Sequence, residues 1–293
     1  MVETTEAIGA MEVGFLNPEI DYYAIPRVSR SRLEVFRESP PEYYARFVAK
    51  TKEDEEKSKA LIFGQDVHCA LFEPEKFQAN YIVAPERWKQ NTNAGKAALA
   101  EFQAKHPGKS VLWPEDWESI AGVVDCIEDN PLAHELLVEN VEPEMREVGV
   151  YHTCPITGIR CKAKFDVIHK SHPRTGKFTV VDMKTWADIK EGDLLAWYVD
   201  NFGYHRQDAF YSQAARAAFG LGRTDAVDFV FVFVTKNSPY ESVVVRIDDD
   251  FRSVGHAQII ESMTNLAHCI DNKTWHSKYR NQEVVVKAPR KMV

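Results

Sequence analysis

Three side chains near the middle of the chain have the types and spacing for chemistry on a phosphate: Asp166, Asp182 and Lys184. They lie in residues 158–185, GIRCKAKFDVIHKSHPRTGKFTVVDMKT. Read with a period of two, Arg160, Lys162, Lys164 and Asp166 share one face, and Ile159, Cys161, Ala163, Phe165 and Val167 the other. This is a strand with one apolar and one polar, mostly basic side. Pro173 and Gly176 turn the chain. Phe178, Val180, Asp182 and Lys184 then share a face of a second strand, and a hairpin of this kind can bring Asp166, Asp182 and Lys184 together. Paired carboxylates bind a hard divalent cation such as Mg²⁺ and leave coordination positions to water and phosphate oxygens. Such a cation acidifies water and offsets charge building on phosphorus, and an ammonium beside it steers or deprotonates that water. The same residues also suit a solvated hairpin with ordinary charges.

Asp166 followed by Asp182-Met183-Lys184 resembles the D…(D/E)xK signature of the PD-(D/E)XK nucleases. Three more motifs resemble the RecB-like and RecE-like members, in the order expected of them. Ser29 to Tyr43 matches S-x-S-x-L-x-x-F-x-x-S-P-x-x-Y, Phe63 to Pro74 matches F-G-x-x-x-H-x-x-L-x-x-P, and Gln207 and Tyr211 form Q-x-x-x-Y. The resemblance spans roughly residues 28–250. It implies an α/β (α+β) fold with a restriction-endonuclease-like αβββαβ core, a central mixed sheet and an N-terminal helical region. It further implies that His68, Asp166, Asp182 and the Met183 backbone carbonyl hold one or two Mg²⁺ ions, with Mn²⁺ able to substitute. Lys184 would position the attacking water, and Gln207 and Tyr211 would brace the lysine and the strand being cut. Several members bring in an acidic residue just ahead of the hairpin, so Glu147 is either an outer metal ligand or a plain edge charge. The implied activity is 5′→3′ exonucleolytic hydrolysis of linear double-stranded DNA ends in phage-type homologous recombination. A homo-oligomeric ring, trimer or tetramer, would hand the remaining strand to a single-strand annealing protein. A metal-dependent endonuclease and a Cas4-like end-trimming nuclease would use the same residues. A catalytically inactive DNA-binding subunit would keep only the fold.

The elements that must position these residues are readable along the chain. Ser29 or Ser31 can cap a helix with Leu33 and Phe36 inward; Pro40-Pro41 ends it, and Tyr43, Tyr44 and Phe47 begin another. Arg32 and Arg37 on this unit either pack or bind a DNA phosphate. The charge run 51–59 is solvated. Ile62, Val67, Ala70 and Leu71 recur at helical spacing until Pro74, with Gly64 allowing close backbone approach. His68 on that helix, taken alone, reads as a packing residue; the resemblance makes it a ligand. Trp88, Lys89, Lys96 and Lys105, within 76–118, are open between surface and DNA contact. Residues 119–137 read as two structural helices, and 146–153 as a strand. Past Thr185 a helix packs Leu194, Leu195, Trp197 and Tyr198. A second helix follows, opened by Gly203 and closed by Gly220, with Gln207 and Tyr211 one turn apart. Strands at 227–235 and 241–247, a helix from 248 to about 271 and a basic tail at 284–293 complete the chain. The expected organisation is an irregular segment 1–27 and a single nuclease domain 28–293. The domain divides into a helical region 28–144, a catalytic core 145–250, and a C-terminal helix and tail 251–293. Arg160, Lys162 and Lys164 are candidates for holding phosphates along the approach, since they share the Asp166 face.

Composition narrows the class. Over 293 residues, 44% hydrophobic and 27% charged content is that of a soluble globular protein. A net charge of −8 argues against a protein that coats nucleic acid, though not against a local basic channel. Five cysteines without a CxxC pair point to reduced thiols in a cytoplasmic setting, a bacterial cell or phage-infected host, and offer no iron–sulfur pattern. No apolar run approaches the ~20 residues of a membrane helix, and the acidic start lacks the basic and apolar regions of a signal peptide.

Overall fold

The computed structural model describes residues 12–53, 57–222 and 225–285. The acidic start, part of the 51–59 charge run and most of the basic tail lie outside the described residues. In chain order the elements are β1 (Val13–Phe15), a 3-10 turn (Tyr22–Ala24), α1 (Arg30–Glu38), α2 (Pro40–Tyr43) with a π-helical continuation (Tyr44–Val48), α3 (Lys59–Phe72), α4 (Pro74–Asn80), β2 (Tyr81–Val83), α5 (Asn93–Lys105), β3 (Ser110–Leu112), α6 (Pro114–Asp129) and α7 (Pro131–Leu137). There follow β4 (Arg146–Thr153), β5 (Arg160–His169), β6 (Phe178–Trp186), α8 (Gly192–Asn201), α9 (Tyr204–Phe219), β7 (Val227–Thr235), β8 (Ser242–Val245) and α10 (Asp249–Asn272).

The main sheet has the order β1-β4-β5-β6-β7-β8. It is mixed, because β6 and β7 run parallel with α8 and α9 as the crossover, while the other neighbours are antiparallel. β7, apolar on both faces in the sequence, is buried along nearly its whole length, as a strand covered on two sides must be. The helix boundaries follow local chemistry. The Ser29 hydroxyl accepts from the Arg32 N–H to cap α1, and the Ser58 hydroxyl does the same for Leu61 at the start of α3. Gly203 and Gly220 flank α9 with left-handed φ of 66° and 65°. A Cβ at Gly203 would lie 2.3 Å from the Arg206 guanidinium, so this corner needs glycine twice over.

Four expectations change. The segment 1–27 is not irregular throughout: residues 13–15 form β1 on the edge of β4, through pairs such as Gly14 with Tyr151. A strand of three residues is too short to show a period. The 76–118 stretch holds a small parallel pair, β2 with β3, for the same reason. In α8, Leu194 and Trp197 are exposed, and the inward side is Leu195, Tyr198 and Val199; 100° per residue cannot put all of them on one face. The close approach assigned to Gly64 is not required, since a Cβ there would meet Thr185 Oγ1 at 3.5 Å, an ordinary contact.

Candidate active site

The hairpin β5–β6 is the centre of the site. Its two strands pair only beside the turn, at Val167 with Val181, Ile168 with Val180 and His169 with Thr179. Beyond those pairs β5 stays with β4 as far as Arg160 and β6 stays with β7 as far as Trp186. The strands therefore part at the next register position, which is Asp166 opposite Asp182. Asp166 closes the fork: its Oδ2 accepts the Met183 N–H at 2.7 Å, satisfying a backbone donor at the point where the ladder ends. The long turn does not disturb the register.

Around the fork the predicted residues converge. Asp182 is 2% exposed; its Oδ1 accepts from Gln207 Nε2 at 2.6 Å and its Oδ2 lies 2.5 Å from the Lys184 ammonium. His68, on α3, points Nδ1 at Glu147 Oε1 (3.3 Å) and Asp166 Oδ1 (3.6 Å). Glu147 also meets the Lys164 ammonium. It takes a left-handed φ of 52° inside β4, a conformation that a non-glycine residue adopts only when its surroundings impose it. His68, Glu147 and Asp166 offer ligand atoms within 4.8 Å of one another. Glu147, open between ligand and edge charge in the sequence, thus stands with the metal-ligand candidates.

The electrostatics are those of carboxylates crowded around a missing positive charge. Burial lifts the Asp166 carboxyl to about 7; His68 opposes the rise and the Asp182 charge adds to it. Burial acts the same way on Glu147, but the hydrogen bond and charge of His68 and the Lys164 ammonium overcome it and bring Glu147 down to about 2. Burial disfavours charge on His68 and Lys184. For His68 the Asp166 and Glu147 carboxylates outweigh it, and for Lys184 those of Asp182 and Asp166, so both hold their protons more tightly than usual. Asp182 Oδ2 has no hydrogen-bond donor in good geometry despite its burial. An all-oxygen and imidazole donor set with an orphaned buried carboxylate oxygen fits a hard divalent cation. His68, Glu147, Asp166 and Asp182 are the side chains that can hold one.

A cleft of about 720 Å³ opens over these residues. Its wall includes Tyr211 and Gln207 from α9, Lys164 and Lys184, and also Arg30, Tyr22 and Tyr23. Gln207 braces Asp182 rather than the lysine. Tyr211 sets its ring edge-on to Phe165 at 5.5 Å on the sheet. Met183 lines the cleft as well, with its N–H engaged by Asp166.

The phosphate-binding candidates divide. Lys164 reaches the cleft. Lys162, on the same strand face, is 1% exposed and donates to the carbonyls of Tyr22 (2.6 Å) and Ile25 (2.8 Å), with the Tyr22 ring 4.4 Å away. The segment preceding α1 lies over this end of β5, so Lys162 clasps the chain and is not available to DNA; burial brings its pKa down to about 8. Arg160 sits at the far end of β5, away from the cleft, opposite Thr153. Arg32 spends its guanidinium on the Arg27 carbonyl (3.0 Å) and Tyr23 carbonyl (3.3 Å) and lies over the Phe47 ring. Arg37 pairs with Glu34 at 3.2 Å and does not line the cleft. The arginine of α1 that does so is Arg30, which sequence reasoning passed over. Helical phase from the buried Leu33 would not single it out, since only the fold puts the α8–α9 corner beside it. Trp88 packs on Phe102 and Trp113 and Lys105 pairs with Glu101, so neither belongs to the site.

The family match decides the assignment: residues 29–284 fit the PDDEXK-like domain of unknown function (DUF3799). The chain belongs to that PDDEXK-like family. A crystal structure of a Eubacterium rectale protein, described as a "putative exonuclease", superposes with a TM-score of 0.59 at 16% identity, covering 94% of this chain and 97% of that one. The likeness establishes the shared fold. A second crystal structure, SSO0001, covers 80% of this chain and 84% of its own at 15% identity, with a TM-score of only 0.28. No curated protein matches the chain. Family and fork together support a nuclease. Among the described residues no helix is long and apolar enough to cross a membrane, and all five cysteines are free thiols.

Proposed function

We propose that the protein is a divalent-cation-dependent DNA exonuclease that degrades linear duplexes from their ends, 5′→3′, with Mg²⁺ as the working ion and Mn²⁺ as a substitute. The reading rests on one observation: the parting of β5 and β6 sets Asp166 and Asp182 side by side on a cleft floor, with Lys184 on one carboxylate and His68 and Glu147 against the other. A bound divalent cation supplies Lewis acidity toward a phosphodiester and lowers the pKa of water. The chain's own groups do the remainder. His68, Glu147, Asp166, Asp182 and the Met183 carbonyl hold the ion. Gln207 fixes the Asp182 carboxylate in plane. The Lys184 ammonium orients water by hydrogen bonding and faces the charge that develops on the phosphate. Lys164 and Arg30 bind neighbouring phosphates.

End-directed cutting accords with the exonuclease description of the Eubacterium rectale protein. A ring of three or four copies around the duplex, delivery of the remaining strand to an annealing protein in phage-type recombination, and a cytoplasmic site of action belong to the same reading. Their support is the motif resemblance and the net charge of −8, for which enclosure would replace bulk attraction. The test is cleavage of linear duplex and of covalently closed circles with Mg²⁺, using label at the 5′ or the 3′ end. Release of nucleotides from linear DNA alone, 5′ label first, is expected. Nicking of circles overturns end-directed action, and no cleavage of any DNA with Mg²⁺ or Mn²⁺ overturns the nuclease.

A further inference from the structure

The cleft wall carries a second chemistry that metal-assisted hydrolysis does not require. Tyr23 from the 3-10 turn, Leu61 from the first turn of α3 and Phe202 from the α8–α9 corner all line it, and they are 60%, 49% and 47% exposed. Three elements distant in the sequence therefore bring exposed apolar side chains to one opening. Each is held in place. The Tyr23 hydroxyl accepts from Gln65 Nε2 at 3.0 Å. The Phe202 ring lies 5.8 Å from that of Tyr204, and Arg30 donates to the Phe202 carbonyl. Exposed apolar groups clustered at a cleft mark a binding surface, and here they are interleaved with the cations Arg30 and Lys184. Aromatic faces beside cations are what an unpaired nucleic-acid strand needs, because its bases present π-faces that a duplex keeps stacked inside. The volume agrees: about 720 Å³ lies within the range of roughly 300–1,000 Å³ that suits a drug-sized ligand, hence a few nucleotides of one strand and not a double helix.

We propose that the DNA strand to be cut reaches the carboxylates unpaired, its bases lying against Tyr23, Leu61 and Phe202 and its phosphates toward Arg30 and Lys184. The proposal rests on the nuclease reading for the words "to be cut"; the base-binding surface stands apart from it. The duplex end must then open by a few pairs before hydrolysis, and ends already frayed are the better substrates.

The experiment measures binding of a fluorescent oligothymidylate and of an abasic oligomer of equal length, which carries the same phosphates without bases, with Ca²⁺ in place of Mg²⁺. The intact protein is expected to bind the thymidylate on the order of tenfold or more tightly than the abasic strand. Tyr23→Ala and Phe202→Ala should each remove about tenfold from thymidylate binding and leave abasic binding unchanged. Phe202→Leu, which keeps apolar bulk against Tyr204, should lose the same preference with an unaltered melting temperature. Equal affinity for the two oligomers, or a preference untouched in Tyr23→Ala and Phe202→Ala, overturns the proposal. A base preference without cleavage by Mg²⁺ or Mn²⁺ overturns the nuclease reading alone; cleavage without a base preference overturns this inference alone.

Discussion

The two ends of the β5–β6 hairpin carry similar residues to opposite effect. At the turn end, buried Glu135 of α7 meets Arg174, its Oε1 lies 3.7 Å from His172 Nε2, and His169 bonds the Leu136 carbonyl at 2.9 Å. One carboxylate there faces a permanent cation and an imidazole, and none of these residues lines the cleft. At the open end three carboxylates, Glu147, Asp166 and Asp182, face two lysines, Lys164 and Lys184, and the His68 imidazole. Charge is balanced where the strands pair and left short of cations where they part. Acids and histidines in proximity therefore do not define a site. An excess of buried carboxylate, exposed to a cleft because a ladder has ended, does.

The comparison breaks most sharply at Asp182. Asp182→Asn keeps the shape that Gln207 and Lys184 pack against, so cleavage should vanish while Mg²⁺ no longer raises the melting temperature as it does for the parent protein. Persistent activity would mean the fork is not the site. Next in size, Lys184→Ala should slow cleavage by about 10²–10⁴-fold with DNA binding kept; a single-turnover rate equal to the parent's would remove Lys184 from the chemistry. Gln207→Leu leaves the carboxylate but not its orientation. A loss of about 10–100-fold in apparent Mg²⁺ affinity is expected, seen as a shifted metal titration.

The smallest effect belongs to the turn end and should spare catalysis altogether. Burial, with the nearby His169, lowers the His172 pKa; Glu135 opposes this, and Arg246 and Arg174 add to it. The unfolded chain therefore takes up this proton first, near the ordinary value of about 6.5. Stability contributed by neutral His172 is present above that pH and is lost as pH falls through it. His172→Gln should flatten the decline in melting temperature between pH 7.5 and 5 without changing cleavage at neutral pH. A variant that loses cleavage would join the two ends into one functional unit.

Much of this architecture could be read in the chain because its signals are local. Alternation marks β4, β5 and β6, glycines bracket α9, Ser29 and Ser58 cap helices, and each depends on a few neighbouring residues. The four motifs carried the family and the identities at the fork. The strands β1, β2 and β3 could not be found that way, since three residues carry no period and each forms only because a partner strand offers its edge.

The sequence by itself determined which groups can do the chemistry: the spacing of Asp166, Asp182 and Lys184 and the helical phase of His68, Gln207 and Tyr211 are properties of the chain. Only the tertiary structure decided which charges are free to act. Lys162 and Lys164 are equivalent in an alternating pattern, yet the segment before α1 folds over the first and leaves the second facing the cleft. Likewise Arg32 is consumed by carbonyls while Arg30 lines the wall. Side-chain period assigns a face; what covers that face is set by contacts between residues well over a hundred positions apart, and no local pattern encodes them.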